Sequence, residues 1–393
     1  MSSSTGRPVI LRGMQRLRTL VLGGYGNFGA RISRALAGDS AIELFIGGRD
    51  VRRAEALAAE LGGDARPISI DLSKPDLEHV LRTHGIDLVV HTAGPFQQQG
   101  YAVAEAAAAA TSHYIDLADG RRFVCDFPAA MDARFQTAGR CAISGASTVP
   151  ALSSAVIDDL CVAWRKIDSV DICIAPAQTA PRGLATMEAV MSYCGEPIEV
   201  WEDGRWQTRR GWARPERVTF ARMRPRIGAV CDIPDLELFP VRYQVTSRVL
   251  FKAALEVGIG QRAFAVLAAL RACGLLSRPA RFARLFERMA AATDFLGSSL
   301  GGMVVRVEGV GPTGRRQRRA WHITAGDDHG PEIPCMAAIL LARRLATDNV
   351  PFTGARTAAG LLGLAEFQRE FARWDMVTET LDEPAATLSR VAP

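Results

Sequence analysis

The sequence predicts an α/β protein: an N-terminal Rossmann domain with a doubly wound parallel sheet, followed by a second α+β domain with a mixed or antiparallel sheet. Three observations predict it. Strand-like and helix-like stretches alternate six times, with short connections, through roughly the first 150 of 393 residues, the pattern of parallel strands covered by helices on both faces. A glycine-rich stretch, Gly23-Gly24-Tyr25-Gly26-Asn27-Phe28-Gly29, falls at the first strand-to-helix joint. Beyond residue 150 the strands come in runs instead, and the length suits two domains better than one core.

The first half reads in order. RTLVLGG is an apolar strand and NFGARISRALAG its helix; AIELFIGGR and VRRAEALAAELGG repeat the pair, the helix carrying its apolar residues on one face. The alternation continues through ARPISIDLS, KPDLEHVLRTHG, IDLVVHTAG, GYAVAEAAAAATS and HYIDLAD, and a helix around PAAMDARFQTAG leads to the strand RCAISGAS.

STVPALSSAVIDDLCVAW then opens a helix, with Ser147 or Thr148 as N-cap and Pro150 in its first turn. SVDICIAPAQ, IEVWEDGRWQTR, RVTFARMR, VRYQVTSRVLF and GMVVRVEGVGPTGRRQRRAWHITAG read as strands, with EDGR and GPTG as hairpin turns. LATMEAVMSYCG, the 251–295 block and EIPCMAAILLARRLATD read as helices between them. The expected division is a mobile tail at 1–17, the Rossmann domain at 18–150, an α+β substrate and dimerisation domain at 151–330, and C-terminal helices at 331–393 that close the interdomain cleft.

Composition narrows the function classes. With 48% hydrophobic and 23% charged residues the chain is globular in character. The bases are arginine except at Lys74, Lys166 and Lys252, and they are scattered among 42 acids. The one dense run, Arg315, Arg316, Arg318 and Arg319, sits on a hairpin strand, so no nucleic-acid surface is expected. The eight cysteines show no CxxC pair and no zinc spacing, and most lie in apolar sequence; reduced, buried thiols in a cytoplasmic protein and no metal are expected. The N-terminus has no long apolar core of the kind a secretory signal needs.

Residues 251–276 raise the membrane question. They are strongly apolar, yet Glu256, Arg262 and Arg271 interrupt them, so they read as two amphipathic helices broken near Gly258 and Gly260 and not as a transmembrane span. Packing on the core or against another subunit, as in a homodimer, is one reading; an apolar lid or peripheral membrane contact is the other.

The glycines carry the cofactor expectation. A GxGxxG that follows the first strand of a β-α series and opens its helix is a dinucleotide fingerprint. Gly24 permits the tight turn, Gly26 lets the backbone approach a pyrophosphate, and Gly29 lets helix and strand pack closely, with Tyr25, Asn27 and Phe28 between them. The helix N-terminus faces the phosphates. An NAD enzyme places an acid about twenty residues further on. Here the second strand ends Gly47-Gly48-Arg49, space and a guanidinium instead, which favours NADP(H). Asp50 keeps the NAD alternative open, although Arg52 and Arg53 follow it. Asp71 and Leu72 end the third strand at the adenine edge; Thr92, Ala93, Gly94 and Pro95 end the fourth, where small residues let the nicotinamide half pass.

Together, VLGGYGNFGARISRALA, FIGGRDVRRAEALA, DLVVHTAGPFQQQGYAVAEAA, HYIDLADGRRFV and SGASTVPALSSAVIDDL resemble the NADP-binding domain of the saccharopine dehydrogenase (saccharopine reductase-like) family. GGMVVRVEGVG and AGDDHGPEIPCMAAILLARRL resemble its bacterial branch of saccharopine dehydrogenase-like oxidoreductases. The resemblance implies hydride transfer from NADPH, in the family's best-known case to an imine of an amino acid and a carbonyl compound.

Hydride delivery needs positioning and one proton source. Gln97, Gln98 and Gln99 follow the fourth strand; Asp116, Asp119 and Arg121 follow the fifth; Asp328, His329 and Glu332 precede a returning helix. His329 is the preferred donor, since imidazole titrates near neutrality, with Asp119 and Tyr101 as further catalytic candidates; His91 reads as a core residue. Three functions follow: an NADPH-dependent reductase of C=N or C=O bonds in a small, less polar metabolite, an enoyl (C=C) reductase of a lipid or polyketide, or a non-catalytic NADP sensor.

Overall fold

The computed structural model describes residues 16–97, 99–181, 183–349 and 352–384; the expected tail lies almost wholly outside them, as does Gln98. Strands β1 (Leu17–Leu22), β2 (Ile42–Gly48), β3 (Arg66–Ser69), β4 (Leu88–His91), β5 (His113–Asp116) and β6 (Cys141–Ser144) alternate with helices α1 (Asn27–Ala37), α2 (Val51–Leu61), α3 (Leu77–Thr83), α4 (Ala102–Ala109) and α5 (Arg121–Ala138). Consecutive residues of β1 bury on opposite faces: Val21 joins one apolar cluster, Leu20 and Leu22 the other. This two-sided burial is why the strands read as continuous apolar runs. Helix α1 buries Ile32 and Leu36, each fully excluded from solvent and contributing about 1.5–3 kcal/mol.

The second half begins with a distorted turn at Thr148–Leu152, so the expected N-cap at Ser147 or Thr148 is not formed and α6 runs only over Ser153–Leu160. It continues as β7 (Lys166–Ala175), α7 (Leu184–Ser192), β8 (Pro197–Glu202), β9 (Arg205–Arg210), β10 (Glu216–Val218), β11 (Arg226–Val230), α8 (Asp235–Arg242), β12 (Arg248–Leu255), α9 (Gly258–Ala272), α10 (Ala283–Ala292), β13 (Gly301–Val310) and β14 (Arg316–Ala325). Both expected hairpins form, β8 with β9 and β13 with β14. Three readings are corrected. Of RVTFARMR only Arg217 and Val218 are strand, at the end of β10, and no strand follows until β11. VRYQVTSRVLF is not one strand: Val241 and Arg242 finish α8, and Gln244 takes a left-handed turn (φ 49°) before β12. Gly258 and Gly260 do not break a helix but begin one, because residues 251–255 belong to β12.

The C-terminal segment differs most from its expected all-helical form. Helices α11 (Ile333–Ala346) and α12 (Leu364–Ala372) carry between and after them β15 (Gly354–Thr357) and β16 (Val377–Glu383). β15 pairs parallel with β6 and completes a seven-stranded sheet, ordered β15-β6-β5-β4-β1-β2-β3. β16 pairs antiparallel with β14 at the end of a mixed, nine-stranded sheet, and Arg306 and Arg318 ion-pair its Glu383. One apolar cluster runs from Val21, Ile115 and Ile143 through Val156 and α11 to Val305 and Trp321, joining the two sheets.

Candidate functional site

The first sheet reverses its strand order between β1 and β4, the crevice where open α/β sheets bind ligands. Register aligns Leu22 with His91, so the loops after β1 and β4 lie side by side. The left-handed turn of the first loop belongs to Gly23 (φ 79°), not to Gly24 as the sequence suggested. At Gly24 a Cβ would stand 2.7 Å from the Val21 carbonyl oxygen, and at Gly29 it would overlap the Gly23 carbonyl. Both glycines are therefore set by close packing of helix and strand. Gly26 donates its N–H to the Gly23 carbonyl (2.9 Å) and caps α1 without a side chain, which leaves the first N–H groups of α1 open to an anion.

At the adenosine end, a Cβ on Gly48 would collide with the Tyr25 ring. The Tyr25 hydroxyl accepts the Asp50 N–H (2.8 Å), and the Arg53 guanidinium lies 4.7 Å over the same ring. Asp50 is engaged elsewhere: its Oδ1 accepts from the N–H groups of Arg52 (3.1 Å) and Arg53 (3.3 Å), capping α2. Arg49, Arg52 and Arg53 line an open pocket with Tyr25 and, among the described residues, have no ion-pair partner. Asp71 sits nearby; hydrogen bonds from the Ser73 N–H (3.1 Å) and hydroxyl (2.9 Å), aided by Lys74 and Arg49, hold its carboxyl below the usual range. Leu72 is exposed beside it.

At the other end, Thr92 donates its hydroxyl to the Leu22 carbonyl (2.8 Å), and Gln99 Nε2 braces the Ala93-Gly94-Pro95 turn through the carbonyls of Ala93 (2.8 Å) and Pro95 (2.9 Å). Gln97 Nε2 donates to Asp119 Oδ1 (3.0 Å). Burial raises the Asp119 carboxyl above its ordinary value, against the opposing Gln97 bond. The Gln97 Oε1 is itself buried without a protein partner.

Tyr193, just after α7, lies within electrostatic reach of Asp119. Burial, with the negative charges that Cys231 and Asp119 can carry, pushes its phenol well above the ordinary value. Arg121 bridges from the first domain to the second: it reaches Glu237 (2.9 Å), Asp232 (3.3 Å) and the Glu199 carbonyl (2.7 Å). Tyr193, Asp232 and Glu237 were missed in the sequence; the available signal was an acid inside the apolar run AVCDIPDLELF.

The remaining candidates lie elsewhere or are engaged. The Tyr101 hydroxyl donates to the Phe123 carbonyl (2.9 Å), its ring packs on Phe123 and Phe127, and burial pushes its phenol up to about 12. His329 stands edge-on to Trp374 (4.9 Å) near Glu332, which pairs with Arg31 of α1 (2.8 Å). Its neighbours are thus at the phosphate end, where Asn27 Nδ2 also reaches the Pro181 carbonyl (3.4 Å) and Cys335 Sγ the Phe28 carbonyl (3.6 Å). Asp328 accepts from the Thr179 hydroxyl (2.6 Å). His91 is buried on Tyr114 (3.0 Å), and desolvation lowers its pKa to about 4. Asp116 accepts from the N–H groups of Ala118 and Gly145 and from Ser144, and burial raises it to about 6. Three cysteines depart from the expected burial: Cys125 and Cys161 are half-buried and Cys273 is exposed. Among the described residues no cluster of His, Cys, Asp or Glu could hold a metal, and no helix is long and apolar enough to cross a membrane.

A glycine cradle that side chains would fill, an uncapped helix N-terminus and three unpaired arginines beyond β2 define a Rossmann domain built for NADP. Comparison agrees: residues 19–143 match the saccharopine dehydrogenase NADP binding domain. The whole chain resembles apo saccharopine dehydrogenase (L-Glu forming) from Saccharomyces cerevisiae, with a TM-score of 0.69 at 12% identity over 93% of this chain and 99% of that one. At that identity the likeness establishes the fold. Further matches are GenD2 from gentamicin A biosynthesis in complex with NAD (TM-score 0.43, 14% identity, 98% of this chain and 100% of that one) and yeast methylglyoxal/isovaleraldehyde reductase Gre2 complexed with NADPH (0.23, 22%, 25% and 37%). No curated protein sequence matches the chain.

Proposed function

We propose that the protein is an NADPH-dependent reductase of a C=N or C=O bond in a small metabolite, with Asp119 as the proton-holding residue. The observation that carries this is the Gln97–Asp119 pair, just beyond β4 and β5, with Tyr193 of the second domain within electrostatic reach of Asp119. NADPH, when bound, supplies the hydride. The Gly23–Gly29 loop holds its pyrophosphate, and Arg49, with Arg52 and Arg53, grips the 2′-phosphate. Gln97 orients Asp119, and burial favours the protonated carboxyl, which donates to the nitrogen or oxygen that accepts electrons. Arg121 ties the domains together around this cleft. The enoyl reductase alternative draws support from the exposed apolar side chains of α9 and α10.

The test is NADPH consumption by purified protein against a metabolite extract, with product masses, followed by Asp119→Asn on the substrate found. Products two hydrogens heavier, one on the former double-bond carbon and one on its nitrogen or oxygen, and turnover lost in the variant with NADPH binding kept, support the reading. Reduction of a carbon-carbon double bond, or full turnover by the variant, overturns it.

A further inference from the structure

The excursion between β12 and β13 has two apolar sides. Its inner side is satisfied: Phe264 of α9 stacks on Trp212 (4.3 Å) and meets Phe286 of α10 (5.4 Å), and Ala283 is buried. Its outer side is surplus to that packing. Val266, Leu285 and Met289 are about half exposed or more, and Leu275 (77%) and Phe295 (83%) stand almost free. Monomeric surfaces rarely cluster so many large apolar side chains without a use for them.

The charge of the same stretch says what covers it. Residues 258–296 hold six arginines and two acids. Among the described residues Arg262, Arg278, Arg284 and Arg288 have no ion-pair partner, in a protein whose other arginines are widely paired. On α10, Leu285 and Met289 lie four residues apart, and each is preceded by an arginine, Arg284 and Arg288. An apolar strip edged by long cations is the pattern of a helix lying in the interface of an anionic membrane, where apolar side chains enter and guanidinium groups remain with the headgroups. A twofold contact with a second copy would instead set these arginines against themselves.

We propose that the outer face of α9 and α10 docks the protein on an anionic lipid surface. α10 also packs on α7, the helix that leads into Tyr193, so the docked face adjoins the cleft.

The experiment is flotation of the full-length protein, with NADPH, on vesicles of phosphatidylcholine alone or with about 30 mol% phosphatidylglycerol. Binding to the anionic vesicles only is expected, weakened roughly 30-fold by Arg284→Gln with Arg288→Gln and abolished by Leu285→Asp with Phe295→Asp. NADPH fluorescence unchanged in both variants establishes that they are folded. Absence of binding, equal binding to both vesicle types, or binding untouched by either pair of substitutions overturns the proposal. So does a dimer that Leu285→Asp with Phe295→Asp converts to monomer while vesicle binding persists, which would make this face a contact between copies.

Discussion

The two ends of the cofactor crevice are built differently. The phosphate and adenosine end is local: Gly23 to Gly29 and Gly48 to Arg53 are consecutive stretches, and Tyr25 and Asp50 meet within them. The proposed substrate end is assembled from a distance, with Gln97, Asp119 and Arg121 contributed by the first domain and Tyr193, Asp232 and Glu237 by the second. Backbone geometry does the work at the first end and side-chain chemistry at the second. On the function proposed above, the contrast teaches that the cofactor is held by a motif, whereas the reaction is set by how two domains meet.

Substitutions can break or sharpen this contrast. The largest effect is expected from Asp119→Asn, which should lower kcat roughly 10²–10⁴-fold with NADPH affinity nearly intact; steady-state kinetics beside an NADPH titration separates the two. Gly29→Ala should act oppositely, because its Cβ meets the Gly23 carbonyl: overpacking of about 3 kcal/mol would weaken NADPH roughly a hundredfold. Kinetics in saturating NADPH should then recover turnover. Arg49→Ala should weaken NADPH about tenfold and leave NADH unchanged; equal loss of both in fluorescence titrations would remove Arg49 from the 2′-phosphate.

A pH experiment addresses the second domain alone. Asp235 is buried, accepts from Ser153 (2.5 Å), and burial raises its pKa from 3.8 to about 8. The folded protein then keeps a proton that the unfolded chain releases near pH 4, so stability falls as pH rises from there toward 8, by on the order of a few kcal/mol. Asp235→Asn should flatten that slope, giving a Tm gain at pH 8 that disappears near pH 4. An unchanged slope would show that Asp235 is already ionised in the fold. The smallest effect is expected from His329→Ala, with turnover within about threefold of the parent; a loss as large as that of Asp119→Asn would return the proton role to His329.

Legibility in the sequence followed the same division. β1 to β6 could be read because strands buried on both faces leave unbroken apolar runs between helices of clear period. β15 could not: Gly354-Ala355-Arg356-Thr357 has no such run and becomes a strand only because β6 offers it an edge. β16 is polar and half-exposed, held by β14 and its arginines. Gln97 and Asp119 were legible as candidates by their place after strands. Tyr193 was hidden in a helical apolar run, and His329 was favoured for its intrinsic pKa, a property that says nothing of position.

By itself, then, the sequence determined the Rossmann half and the class of its cofactor, since a glycine's missing Cβ and the arginine after β2 act through backbone and charge close to where they stand. Only the tertiary structure decided which titratable groups share the cleft, where the C-terminal strands go and which apolar side chains of α9 and α10 remain outside. Those outcomes depend on contacts between segments far apart in the chain, and burial, which sets both proton affinity and exposure, exists only once those segments have met.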